Sequence, residues 1–476
     1  MADSSFALRY ALHSSLALAL GALAFSAPAT AQEQEAPAEA DASPQDDIVV
    51  TGQALPGAVI GDIPPENRLS PADIAAYGVD SVSDLLSQIS DQTSSVQGRD
   101  GGGPVVLVNG KRISGINEVG DLPTEAIARL DILPEEVALK YGYSATQKVV
   151  NIILRRRFRA HVASAGGGLA TEGGGGNANG EFGLTRIHDN KRLNVVARAK
   201  ASAALLESDR SIIPDPRAGD PANPAGPANP YAGDTDYRTL QPSTRNYSLN
   251  GTYAFQLSPK LTASVNGTAG YQTSRGLAGG APLSGALDPD EIAALRQDSD
   301  AFTGHAGVTL NYDLSTNWKL SFTGTYDHSD TRSDTNRYLN GALGNQHGVA
   351  VTNTESASVL ASGPIFALPA GKVRTSIQIG GNGSQLSSSS TRLGGAFMAS
   401  DVARSTGNAQ LSFDIPLTSK KTGFLGAIGT LTANVNGEVN QLSDYGTLGT
   451  WGYGLNWSPR TGISVIAAVN EDRGAR

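Results

Sequence analysis

His305, Asp327 and His328 carry the donor types of a metal or haem contact, provided that adjacent strands bring them together. Scattered loop histidines are the plainer reading. Asp330 and Asp334 invite a calcium site, but their surroundings lack the alternating acids and central glycine of a calcium hand. No metal ligand and no cofactor is therefore expected. The sequence also contains no His-Glu-x-x-His, no nucleophile elbow and no phosphate loop ending in Gly-Lys-Ser/Thr. Gly173 to Gly176 reads as loop flexibility. Zero cysteines exclude disulfide and thiol chemistry. No catalytic residue is assigned, and the chain is not read as an enzyme. Its densest basic run, Arg155-Arg156-Arg157-Phe158-Arg159, stands in a chain of net charge -9, without the aromatic platforms that single-stranded nucleic acid needs. Pairing with acids at an interface accounts for it better than nucleic acid does.

The elements that must position these residues show themselves by a period of two. Tyr247, Leu249, Gly251, Tyr253 and Phe255 fall on one face of an extended segment, against Asn246, Ser248, Asn250, Thr252 and Gln256 on the other. The pattern recurs in Leu261 to Tyr271, Trp318 to Tyr326 and Leu431 to Val439. A soluble sandwich also alternates. Here, however, the apolar face carries small residues such as Ala197, Ala199, Gly251, Gly267 and Gly437, which would fill a soluble core badly but leave no void against lipid. The segments reach the roughly 9–11 residues that a tilted strand needs to cross a bilayer. Aromatics collect toward segment ends, as at Tyr312, Trp318, Trp451 and Trp457, where amphipathic rings suit a membrane interface. A transmembrane antiparallel β-barrel is expected.

Short connections at 256–260, 313–317, 367–371 and 456–460 contrast with long polar ones over 208–245, 276–301 and 329–353. Short turns on one side and long loops on the other are the outer-membrane arrangement. At the start of the chain, an apolar stretch from Ser14 to Ala27 behind Arg9, followed by Ala29-Thr30-Ala31, reads as a signal peptide over residues 1–31. A single short anchor is the other reading of that run. Residues 32–46, rich in Ala, Glu and Pro, form an expected disordered leader.

From 47 to 158 the alternation gives way to short mixed helices and strands, predicting a small α/β domain. Ser70 precedes Pro71 and stands three residues before Asp73, which predicts a capped helix ended by Gly78. A second helix starts at Ser81, with Leu85, Leu86 and Ile89 on one face. Pro104 to Val108 forms a strand, and Asn109-Gly110 supplies a tight hairpin turn into Lys111-Arg112-Ile113. Helices over 122–128 and 134–141 and a strand over 148–154 complete the expectation, around Leu130-Asp131-Ile132.

In order and spacing, Asp47-Ile48-Val49-Val50-Thr51-Gly52, Val106 to Arg112, Ile127 to Pro134, Tyr141-Gly142 and Val149 to Ile153 resemble the plug domain of TonB-dependent outer-membrane receptors. The resemblance implies a plug inside a barrel formed by residues 159–476, and energised uptake of a scarce solute such as a metal chelate, cobalamin or oligosaccharide. It makes Asp47, Ile48, Val49, Val50, Thr51 and Gly52 the TonB-binding segment. The physics agrees: a β-prone run on a flexible tether can add as an edge strand to a partner sheet. The same run can also serve as a first plug strand. The implied partners are TonB in the periplasm, outer-membrane lipid and a small solute, with no nucleic acid. A passive porin or a surface-binding barrel without energy coupling is the alternative. Counting alternating segments after Phe158 gives about thirteen strands, short of the about 22 of plugged transporters. A truncated or split receptor with an open, curved sheet is therefore expected.

Overall fold

The computed structural model describes residues 57–59, 65–94, 103–143, 147–212, 231, 234–282, 292–339, 342–392, 396–460 and 463–471. The expected signal peptide, leader and Asp47–Gly52 segment lie outside them. The smaller sheet comes first in the chain. Strand β1 (Asn67–Leu69) leads into α1 (Pro71–Ala76), α2 (Val82–Gln88) and α3 (Ser90–Thr93). Then follow β2 (Val105–Val108), β3 (Lys111–Arg112), β4 (Ile127–Leu133), α4 (Glu136–Lys140) and β5 (Val149–Leu154). The five strands order as β1-β4-β5-β2-β3. Every residue of β5 is buried, as expected of a central strand covered on both faces. Ile74, Val82, Leu85, Leu122, Leu130 and Ile152 form the core beneath the helices.

Local chemistry sets these elements. Ser70 Oγ accepts the Asp73 N–H while the Asp73 carboxylate accepts the Ser70 N–H, a complete capping box ahead of Pro71. Asn109 and Gly110, at φ 50° and 71°, make the left-handed pair that closes β2 onto β3. The helix expected over 122–128 is instead one short 3-10 turn, Thr124–Ala126. Ile127 leaves it because it pairs with Leu154 across β4 and β5, and the Ala126 carbonyl accepts the Arg155 N–H. Long-range pairing here overrides the local helical preference.

The larger sheet is antiparallel throughout and has thirteen strands. It opens with β6 (Arg157–Gly168), β7 (Asn177–His188) and β8 (Lys191–Ser202). The short pair β9 (Leu205–Leu206) and β10 (Thr239–Gln241) stands apart as a two-stranded ladder. Next come β11 (Ser243–Ser258), β12 (Leu261–Pro282), β13 (Ile292–Asp313), β14 (Lys319–Leu339) and β15 (Ala342–Leu368). The last are β16 (Gly371–Thr391), β17 (Phe397–Thr418), β18 (Thr430–Leu442), β19 (Gly446–Arg460) and β20 (Ile463–Glu471). Apart from the excursion through β9 and β10, each strand pairs with its sequence neighbours, so the sheet is a meander with β6 and β20 at its two edges.

The alternating faces divide as the sequence predicts. Tyr247, Tyr271 and Phe302 stand in register across β11, β12 and β13, each more than two-fifths exposed on the outer face. From Leu261 to Tyr271 is eleven residues, and so is Phe302 to Tyr312, the thickness of a membrane crossing. The expected long loops are corrected. Most of 276–301 and 329–353 is paired strand, and β15 alone runs 27 residues. Beyond the aromatic row the outward side chains turn charged, with Arg275 on Asp300 at 2.8 Å and Arg332 on Asp330 at 2.8 Å. These hairpins therefore continue beyond the aromatic row as a paired ladder with charged side chains on its outer face. The expected turn at 456–460 is also strand, within β19.

Candidate functional site

The polar face of the large sheet does not meet open solvent where the small domain sits against it. Along β8, the inward side chains include Arg192, Asn194 and Arg198. Arg192 Nη2 donates to Glu118 Oε1 at 2.7 Å, with the two side chains 6% and 3% exposed. Arg198 bridges Asp121 of the small domain and Glu181 of β7, at 2.9 Å each. Asn250 of β11 donates to Asp121 at 2.7 Å, and Thr252 to the Glu118 carbonyl at 3.1 Å. On the opposite side of the small domain, Lys140 pairs with Asp414 of β17 at 3.0 Å, Ser376 donates to the Leu139 carbonyl and Asn456 to Glu136. Arg112 reaches Ser358 of β15 at 3.1 Å and lies over the Tyr143 ring. Removing one partner of the buried Arg192–Glu118 pair strands the other, at a cost of about 3–5 kcal/mol. The small domain is thus fastened across the polar face largely by charge-assisted bonds, with Ile187 and Leu360 of the large sheet packed against its apolar core. Such a seal can release into water more readily than an apolar one.

One connected path crosses this boundary. His305 of β13 donates from Nδ1 to Asp327 of β14 at 2.7 Å. Its Nε2 accepts from Asn266 Nδ2 of β12 at 3.0 Å, since an amide nitrogen can only donate. Asn266 Oδ1 in turn accepts from Ser114 Oγ of the small domain at 2.6 Å, and Glu118 Oε2 accepts the Ser114 N–H at 3.1 Å. Glu118 is the residue that holds Arg192. Gly307, opposite Asn266 in the ladder, makes this possible: a Cβ there would collide with Asn266 Oδ1 and Ser114 Oγ.

The grouping of His305, Asp327 and His328 that a metal or haem contact would need does not form. His305 and Asp327 are directly paired on the inward face, whereas His328 points outward beside Phe302 and accepts no share in their bond. The period of two, applied to His328 itself, already carries that separation. No group of three or more metal-ligating side chains occurs among the described residues. Above the path, on the side of the long hairpins, Asn117, Thr268, Thr303, His305, Asp327 and Thr354 help to line a cavity of about 300 Å³. The buried Thr268 hydroxyl has no hydrogen-bond partner among the described residues. Hydroxyls, an amide and one carboxylate–imidazole pair give this cavity hydrogen-bonding capacity without strong net charge.

Of the basic run 155–159, Arg156 alone makes an ion pair among the described residues, with Asp189 at 3.3 Å. Ser114, Glu118 and Arg192 were not singled out by sequence. Glu118 sits in Ile116-Asn117-Glu118, a stretch with no distinguishing spacing, and its role appears only when β8 and β12 are placed around it. The Asp47–Gly52 segment lies outside the described residues.

No protein-family profile matches the chain, and no curated protein matches it. Among solved structures, the siderophore receptor PirA from Pseudomonas aeruginosa is similar, with 16% identity and a TM-score of 0.48 over 86% of this chain and 62% of that one. FpvA of P. aeruginosa, bound to heterologous pyoverdines, aligns at 13% identity and a TM-score of 0.48, over 85% of this chain and 57% of that one. PirA from Acinetobacter baumannii aligns at 14% identity and a TM-score of 0.45, over 85% and 60%. This chain spans less than two thirds of the length of each of these receptors.

Proposed function

We propose that the chain is a TonB-dependent outer-membrane receptor, exported by its signal peptide, that takes up a scarce solute under energy coupling. The observation that carries this reading is the α/β domain fastened to the polar face of a lipid-type sheet by buried ion pairs. A passive porin has no use for such a stopper. In this reading the solute is a metal chelate of the siderophore class, the chemistry named for the similar structures, with cobalamin and oligosaccharides as the further candidates. The solute is held on the side of the long hairpins, where the cavity lined by His305 and Asp327 opens. Asp47 to Gly52 is the handle: a β-prone segment that TonB takes up as an added strand, so that tension reaches the plug through the backbone.

Deleting Ile48 to Thr51 tests it. Accumulation of a radiolabelled ferric chelate is expected to vanish in the deletion variant while cell-surface binding stays at the native level. Unchanged accumulation would sink energy coupling through this segment, and ion conductance by the native chain in a planar bilayer would favour the passive porin.

A further inference from the structure

On the side of the short turns, a second cavity of about 370 Å³ opens between the plug and strands β7, β8, β11, β12 and β13. That volume lies in the range of about 300–1,000 Å³ typical of small-molecule sites. Its walls carry six basic side chains, Lys111, Arg112, Arg155, Arg156, Lys191 and Arg192, against two acids, Glu118 and Asp189. The two acids are already committed, Glu118 to Arg192 at 2.7 Å and Asp189 to Arg156 at 3.3 Å. Four cations remain, and none of them forms an ion pair with a described carboxylate. Lys111 Nζ donates to the Thr262 hydroxyl at 3.1 Å. Its pKa is held below the usual lysine range, chiefly by burial; Asp313 opposes that only in part and Lys319 adds to it. Arg112 is 5% exposed; its Nη2 donates to Ser358 and it lies over the Tyr143 ring, but its Nε and Nη1 have no hydrogen-bond partner among the described residues. Arg155 donates from Nε to the Ile127 carbonyl at a long 3.4 Å.

Buried or half-buried positive charge without counter-charge is costly, and that cost falls when an anion enters. The arrangement is also graded. Arg155, Arg156 and Lys191 are exposed at the mouth, while Lys111 and Arg112 lie deeper, so the field draws an anion inward. We infer that this cavity is an oxyanion-binding site on the short-turn side of the plug, taking a phosphate-class group with two or more negative charges. Guanidinium groups suit that ligand because they meet planar or tetrahedral oxyanions with paired N–H bonds. The group can be a soluble phosphate ester or the headgroup of an anionic lipid from the adjoining leaflet. The site is separate from the solute cavity lined by His305 and does not depend on energy coupling.

Titration of the purified full chain with inorganic pyrophosphate, followed by calorimetry, tests this. Saturable binding is expected, weakened about tenfold by Arg155→Gln and again by Lys111→Gln, the scale of one lost charge-assisted contact each. Arg155→Gln alters an exposed side chain, so its effect is readable even where Lys111→Gln disturbs the plug. Lys420→Gln, in the connection 419–429 between β17 and β18 and outside the cavity, is expected to leave binding unchanged. Repeating the titration in phosphatidylcholine vesicles with and without phosphatidylglycerol separates the sources: competition by the anionic lipid assigns the site to a headgroup, and its absence assigns it to a soluble oxyanion. No saturable binding, or equal weakening by all three substitutions, would overturn the site.

Discussion

Glu136, in the plug helix α4, shows how single groups tune the seal. Burial pushes its carboxyl above the usual carboxylate range, more than the Asn456 hydrogen bond and Lys140 pull it back. Because the folded pKa lies above the unfolded one, the folded state takes up the proton first. The penalty is present at neutral pH and fades as pH falls through the raised value toward the ordinary 4.5. Glu136→Gln keeps an oxygen for Asn456 and removes the buried charge. The variant is expected to melt higher than the native chain at neutral pH and to lose that advantage near pH 4.5. Melting curves across this window check it, and a constant difference would show that the carboxyl titrates normally. Asp73 behaves in the opposite sense: the Ser70 hydroxyl and N–H hold its carboxyl below the usual range. Its contribution persists above 3.8 and is lost as pH falls further.

At the scale of elements, the most legible features were those with local causes. Ser70-Pro71 with Asp73 announced α1, and Asn109-Gly110 announced the β2–β3 turn, because capping and left-handed geometry depend on few neighbours. The two-residue period announced the strands of the large sheet for the same reason. Two features escaped. Ile127 reads as helix locally and becomes strand only because Leu154 lies beside it. The polar stretches 276–301 and 329–353 read as loops because their composition is polar and the alternation fades there, although the backbone ladder continues and Ala281, Leu295 and Tyr338 pack into a small buried cluster on it. This yields a prediction about the β14–β15 hairpin. Replacing 331–350 by Asn-Gly, which favours a tight turn, removes ladder that stands beyond the aromatic row. Membrane insertion, read by resistance to alkaline extraction, is expected to be unchanged. Loss of insertion would mean that the outer ladder is needed to build the crossing itself.

Across the whole molecule, protection should follow position in the sheet. Inner strands such as β14 and β15 are paired on both sides, while β6 and β20 are each paired on one. Hydrogen exchange of the chain in detergent is expected to be fastest in those two strands and slowest in β13 to β16. Uniform protection would show that something covers both edges. The path from Asp327 to Arg192 also runs at this scale, and its weak point is a single amide. Asn266 spends its nitrogen on His305 and its oxygen on Ser114, and Gly307 leaves it space to do so. A second proton on His305 turns the acceptor Nε2 into a donor, and Asn266 can then face it only with oxygen. The half-turn of that amide presents nitrogen to Ser114, whose hydroxyl then donates to Glu118 Oε2, already 3.2 Å away, on the carboxylate whose other oxygen holds Arg192. Asn266 is in this sense a reversing gear: a change of sign in the large sheet arrives in the small domain as a change in hydrogen-bond direction, with no atom crossing the gap.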